Sequence, residues 1–285
     1  MAFPFSLYGT FIPNSTPVIP AEFLNALDEL ALATAAALGY GSQKLWAHSY
    51  DGGTINVETL HGCIVKDYTL GTYVAPVLPT TPTVLDVNNL VPAAANFASI
   101  TWYYVYLRSN GRVAEFVISA TAPGADLRWK GPADDTYRFL FSFKTTSGQL
   151  VDPIVHKDGV TEYVGGEFGV RDEGVSVTST ASWTTIPLTF CPPHARRVLL
   201  WARVTNTSAA GGTYEKLRIL PKGMGAVTIA PAVSGKIVTG APGVIETRER
   251  LWVETDSTPA VEGKLLTGLV GNEGDVVVAA WEEYR

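Results

Sequence analysis

Ile100-Thr-Trp-Tyr-Tyr-Val-Tyr-Leu-Arg108, Ser109-Asn110-Gly111 and Arg112-Val-Ala-Glu-Phe-Val-Ile-Ser119 read as two alternating runs joined through an Asn-Gly pair. Asn-Gly between period-two segments is a strong hairpin signal, because both residues tolerate the positive φ of a tight turn. A second pair follows as Tyr137-Arg-Phe-Leu-Phe-Ser-Phe-Lys144, a Thr145-Thr-Ser-Gly148 turn and Gln149-Leu-Val-Asp-Pro-Ile-Val155. Phe139, Phe141 and Phe143 alternate with Arg138, Leu140, Ser142 and Lys144, so they are expected to share one aromatic, buried face.

The same period of two begins at Leu45 and returns beyond Gly174 in Ser182 to Cys191, Arg196 to Asn206, Tyr214 to Leu220, Leu251 to Glu254, Lys264 to Val270 and Asp275 to Tyr284. Short strands separated by Gly, Pro, Asn and Ser turns make sandwiches. The expected fold is therefore mainly β, with two β-sandwich, jelly-roll-like domains behind an N-terminal extended arm and one short helix. The expected divisions are 1–43 for the anchoring arm and helix, 44–168 for the first β domain and 169–285 for the second. The join is placed at GGEFGVRDEG, residues 165–174, which is rich in glycine and charge and short of large apolar groups. Val276 to Trp281 is apolar throughout, as a central strand would be.

Residues 1–20 carry four prolines and no charged side chain, so they are expected to lie extended against a neighbour. In the following PAEFLNALDELALATAAALG, Phe23, Leu27, Leu30, Thr34 and Ala37 share one helical face, with Leu24, Ala31 and Leu38 beside them. Pro20 and Glu22 suit the first turn and Gly39 the C′ position. A helix of about five turns with next to no helical neighbour needs a partner. Phe23, Leu24, Leu27, Leu30 and Leu38 are the candidate oligomer or anchor contacts. The partner is either the chain's own first sheet or a small parallel bundle of identical subunits.

With 285 residues and 46% hydrophobic side chains, the chain can bury a substantial core. The net charge of −6 and the absence of any basic cluster longer than Arg196-Arg197 leave nucleic-acid binding little to act with. Cys63 and Cys191 fall in different halves and read as isolated buried thiols. The N-terminus lacks the basic, long apolar and cleavage regions of a signal peptide. The apolar stretch Ala21 to Leu38 is interrupted by Glu22, Asp28 and Glu29, so no membrane insertion is expected.

The four histidines (His48, His61, His156 and His194) stand apart, and neither cysteine has a CxxC partner, so no metal site is expected. No GxSxG elbow or P-loop occurs, and Gly223-Met-Gly225 lacks the βαβ setting that would make it a cofactor loop. The pairs Asp134-Asp135, Asp172-Glu173 and Glu282-Glu283 point to opposite faces if they lie on strands, which does not build an acid and base pair across a sugar. A non-enzymatic protein without cofactor is expected. Asp134 and Asp135 lie in a turn that offers oxygens to calcium, but aspartate is common in turns for backbone reasons alone. Among the aromatics, Trp129 in Asp126-Leu-Arg-Trp-Lys130 lies beside cations and a turn, and is the candidate glycan contact.

The proline-bracketed opening Gly9-Thr-Phe-Ile-Pro-Asn-Ser-Thr-Pro-Val-Ile-Pro-Ala-Glu-Phe-Leu-Asn-Ala-Leu27 resembles the N-terminal ends of fibre and appendage proteins of tailed bacteriophages. So do Thr101 to Leu107, Phe116 to Ser119 and Tyr137 to Phe143. Pro187-Leu-Thr-Phe-Cys-Pro-Pro193 leading into Val198 to Val204 looks like the terminal β domains of such virion proteins. The resemblance is one of style and spacing over most of the chain. It implies a homotrimeric, virion-located structural protein, made in the host cytoplasm. Such a head, neck or tail fibre or spike would join other virion proteins through its N-terminal arm and project its β domains; host surface glycan is a candidate partner. Two alternatives remain beside it: a carbohydrate-binding receptor module, and a jelly-roll capsid or decoration protein.

Overall fold

The computed structural model describes residues 26–27, 30–31, 44–50, 52–77, 82–124, 129–130, 134–165, 173, 175–207, 214–223, 232–236, 245–255, 259–267 and 271–283. Strands β1 (Lys44–Ser49), β2 (Ile55–His61), β3 (Val65–Lys66), β4 (Tyr73–Val74) and β5 (Thr83–Leu85) come first. They are followed by β6 (Trp102–Asn110), β7 (Val113–Ser119), β8 (Trp129–Lys130), β9 (Asp134–Lys144), β10 (Ile154–Lys157) and β11 (Val160–Tyr163). The last are β12 (Thr184–Pro187), β13 (Arg197–Asn206), β14 (Tyr214–Pro221), β15 (Ala232–Lys236), β16 (Ile245–Glu254), β17 (Ala260–Leu265) and β18 (Glu273–Glu282). The fold is mainly β, as its alternating sequence predicts.

One long sheet of eight strands runs β16-β13-β18-β11-β10-β1-β2-β5. An aromatic sheet of order β7-β6-β9-β8, a small sheet of order β12-β17-β14-β15 and the ribbon β3-β4 accompany it. The long sheet takes strands from both sides of the segment 165–174. β11 pairs with one edge of β18 at Val160↔Glu282, and Val177 bridges Gly274 farther along that strand. Within 165–174 only Gly165 and Glu173 belong to the described residues. β18 is central, between β13 and β11, and its Gly274 to Glu282 are all buried. A run with no polar alternation suits a central strand, whose outer-face Ala279 and Ala280 are shielded by the larger neighbouring side chains Val160 and Trp201.

The expected hairpin forms as β6 and β7, but its two-residue loop is Gly111 and Arg112, at φ 55 and 69, and Asn110 ends β6 instead of entering the turn. Both central residues lie in the left-handed region, as a type I′ turn requires. The second hairpin departs from expectation. Thr145 bridges Val151, but β10 leaves β9 and pairs with β1 and β11 in the long sheet. Pro153 has no N–H to extend a ladder with β9, and the chain crosses between layers there.

The three phenylalanines do not share a face either. Val105 pairs with Phe141 while Tyr106 pairs with Phe139, so Leu140 is an extra residue on β9. This bulge turns Phe139 away from Phe141 and Phe143. Phe141 and Phe143 join the main core with Leu45, Val105 and Ile118, whereas Phe139 packs with Tyr104, Tyr106 and Val117 on the opposite face. Buried rings therefore stand on both faces of the aromatic sheet. Each such side chain contributes about 2 kcal/mol of hydrophobic stabilisation.

The helix expected over 20–38 lies outside the described residues except at 26–27 and 30–31, which are helical. Among the described residues, no helix is long and apolar enough to cross a membrane.

Candidate functional site

Two places gather chemically capable side chains: a buried polar seam between layers, and the outer face of the long sheet. The seam lies where β9, the loop after β12 and the end of β18 meet. Glu283 is fully buried and accepts from the Ser142 N–H at 3.0 Å, the Trp281 Nε1–H at 3.1 Å and the Ser142 hydroxyl. His194 Nε2 lies 3.2 Å from the same carboxylate, and its ring packs on Tyr104 and Phe139. Burial, with the Glu283 charge added, pushes the Tyr104 hydroxyl up to about 12.

Beside this cluster, Glu173 accepts from Thr189 N–H (2.7 Å), Thr189 Oγ1–H (2.8 Å) and Phe190 N–H (3.0 Å). Burial raises its carboxyl pKa against the pull of those bonds and of Lys144. Lys144 is buried, donates to the Thr189 carbonyl at 2.7 Å and lies 4.3 Å over the Phe190 ring. Burial lowers its pKa, opposed by Glu173 and Asp152. Cys191 lies in this region too, and burial holds its thiol well above the ordinary range. Ser142, His194 and Glu283 have the residue types of a hydrolytic triad but not its geometry. Both Ser142 and His194 bond the carboxylate, and Ser142 is fully buried. The seam holds layers together.

The outer face of the long sheet is different. Alternation along β1 buries Leu45, Ala47 and Ser49 and turns Lys44, Trp46 and His48 outward, with Tyr50 continuing the row. Trp46 and Tyr50 are 42% and 59% exposed, and His48 lies between them, its ring stacked on Tyr50 at 4.5 Å and bonded to Glu58 at 3.0 Å. Register carries this face across the sheet. Trp46 pairs with Lys157, Lys157 with Val160, Val160 with Glu282 and Glu282 with Arg197. Farther along β13, Leu199 opposes Trp252 and Trp201 opposes Arg250. Arg250 lies 4.3 Å over the Trp201 ring and Arg197 lies 5.2 Å over Trp252. Such stacks each contribute about 0.5–1 kcal/mol at exposed sites and hold the rings and guanidinium planes in fixed orientation.

A cavity of about 260 Å³ opens on this face, bounded by Glu162, Tyr163, Gly165, Leu199, Trp201, Arg250 and Ala279. An aromatic wall over an apolar floor, with one cation and one carboxylate at the rim, can take a small polyol by stacking and hydrogen bonding. Among the described residues, no group of three or more His, Cys, Asp or Glu side chains is arranged to hold a metal ion.

The residues expected at the site are described only in part. Phe23, Leu24 and Leu38 lie outside the described residues, while Leu27 and Leu30 stand on helical turns, 46% and 57% exposed. Trp129 begins β8, opposite Arg138, and its side chain is outside the description. Asp134 accepts from its neighbour Thr136, and Asp135 from Tyr73 at 2.9 Å and Lys66 at 3.4 Å, so the pair is divided between local contacts. Trp46, Trp201, Arg250 and Trp252 form no motif in the sequence. The alternation Lys44-Leu-Trp-Ala-His-Ser-Tyr50 carried a signal, with small or aliphatic residues on one face and rings on the other.

No protein-family model matches the chain, and no curated protein matches it. A chain in the structure of infectious bursal disease virus Gx strain is similar at 11% identity and a TM-score of 0.21, over 84% of this chain and 68% of that one. A likeness that faint carries no functional argument.

Proposed function

We propose that this chain is a non-enzymatic virion structural protein, a short head, neck or tail fibre or spike. It assembles as a homotrimer, attaches to other virion proteins through its N-terminal arm and presents its β layers outward. The observation that supports this reading is the outer face of the long sheet, where Trp46, Trp201 and Trp252 stand among charged residues without a covering layer among the described residues. Exposed aromatic and arginine side chains on a rigid sheet are the composition of a contact surface. The buried ionisable groups Asp67, Glu173, Glu215 and Glu283 are occupied by structural hydrogen bonds, which favours a role in contact over one in catalysis. The proline-bracketed arm and its following helix favour attachment at the N-terminal end.

Light scattering on the full chain and on a chain beginning at Gly41 tests the proposal. A trimer that loosens when residues 1–40 are removed is expected. A monomer in both cases overturns the trimeric, N-terminally anchored reading.

A further inference from the structure

On the outer face of the long sheet, Leu199 and Ala279 form the buried floor of the 260 Å³ cavity, half-buried Trp201 walls it, and exposed Glu162 and Arg250 stand at its rim. We infer that this cavity is a subsite for a neutral pyranose ring of an oligosaccharide. The inference rests on the reading of the chain as a particle protein that meets a host surface, and it names the chemistry of that meeting.

Charge selects the ligand class. The neighbouring cations Arg203 and Arg197 are paired with Asp275 and Glu282. The side chains of Arg250 and Glu162 have no hydrogen-bond or ion-pair partner among the described residues, apart from the stack of Arg250 on Trp201. A planar fork of donors and a carboxylate with free lone pairs thus border one apolar hollow. An anionic ligand would meet Glu162 and a cationic one Arg250. A ring of vicinal hydroxyls both donates and accepts, and satisfies the two together, while its C–H face lies on the indole and the aliphatic floor.

Size agrees. The cavity is smaller than the roughly 300–1,000 Å³ pockets of drug-sized ligands. It spans β11, β18, β13 and β16, three strand spacings or about 14 Å, which admits one ring with a second at the margin. Trp252, 40% exposed and held by Arg197, lies two residues beyond Arg250 on the same face of β16 as a platform for that second ring. A second protein copy suits the face less well. Stable interfaces bury about 800 Å² per partner and exclude charge from their centre, whereas Lys157, Glu162 and Arg250 cross the middle of this one.

Saturation-transfer NMR and tryptophan fluorescence on the full chain, with lactose, maltose and methyl α-mannoside as probes and glucuronate and glucosamine as charged controls, test the site. At least one neutral sugar is expected to bind with a dissociation constant of about 1 mM, and the charged controls about tenfold more weakly. Trp201→Ala, and separately Glu162→Ala and Arg250→Ala, should each weaken binding about tenfold. The last two positions are exposed, so unchanged melting temperatures would separate lost binding from lost fold. Absence of binding by every neutral sugar at about 20 mM, or binding indifferent to Glu162→Ala and Arg250→Ala, overturns the inference. Light scattering of the same sample separates the two proposals: a trimer that binds no sugar removes the subsite alone, and a monomer that binds sugar removes the trimer alone.

Discussion

Ser142 and Glu283 lie 141 positions apart and meet in the core, where the Ser142 N–H donates to the Glu283 carboxylate at 3.0 Å. The Ser142 hydroxyl and the Trp281 indole N–H converge on the same group, and His194 approaches it. The end of the last strand is thereby fixed to the second face of the aromatic sheet. This contact joins the two halves of the chain as the continuous long sheet does, but through bonds to a side-chain carboxylate.

Glu283→Ala would leave those donors buried without an acceptor. Breaking such a cluster from one side costs about 3–5 kcal/mol, and Glu283→Gln, which keeps one oxygen, should cost roughly half of that. Urea unfolding followed by tryptophan fluorescence measures both. A wild-type midpoint for Glu283→Ala would show that the seam does not hold the layers.

His156 should give the protein a stability slope between pH 6.5 and about 4. It is fully buried against Phe141, its Nδ1 lies 2.8 Å from the Thr161 hydroxyl, and its Nε2 accepts the Gly159 N–H. A proton on Nε2 would abolish that last bond. Burial pushes the imidazole down from 6.5 to about 4, with Glu283 and Asp158 opposing. Since the unfolded chain binds the proton first, folding is penalised as pH falls through this window, by about 3 kcal/mol when complete. His156→Gln should lower stability at pH 8 yet flatten the slope between pH 7 and 5. An unchanged slope would mean that His156 is not its source.

The β character, the first hairpin and the central position of β18 were legible because each rests on local patterning: period two, a turn that needs positive φ, and a run without polar alternation. The bulge at Leu140 was not, since inserting one residue into a ladder depends on the partner strand and leaves no mark in an apolar run. The crossing at Pro153 was half legible, because a proline stops a ladder without saying which sheet comes next. Sites were harder still. Trp201 sits beside Leu199 and Leu200, so its face could not be read until β16 and β18 fixed the register.

Acid should loosen the small sheet through Glu215. This buried carboxylate accepts from the Leu266 and Thr267 N–H groups, the Thr267 hydroxyl and Asn272 Nδ2, tying β14 to the segment between β17 and β18. Burial alone would raise its pKa, but the hydrogen bonds outweigh it and bring the carboxyl from 4.5 down to about 2. The folded pKa is the lower one, so its contribution is complete above pH 4.5 and is lost as pH falls toward 2. Glu215→Gln should cost about 2 kcal/mol at pH 7 and less at pH 3. An equal cost at both pH values would contradict the assignment.

At Gly274, β18 packs against Leu217 of β14, and the space there is already taken. A Cβ at this position would stand 2.7 Å from Leu217 Cδ1 and 2.8 Å from Cδ2, and Leu217 is itself fully buried. Its backbone is pinned on one side by Val177, with reciprocal N–H to carbonyl bonds of 2.7 and 2.9 Å, and on the other by pairing with Val204. Neither the strand nor the leucine can withdraw without opening a ladder or a void. Gly274→Ala should therefore destabilise by about 1–3 kcal/mol despite adding a single methyl group, as overpacking does in a dense core. The double variant Gly274→Ala with Leu217→Val should recover part of that loss, because the shorter side chain vacates the position of the new methyl. Thermal unfolding of the two single variants and the double variant closes the cycle. Strict additivity would place the cost of Gly274→Ala outside the contact with Leu217.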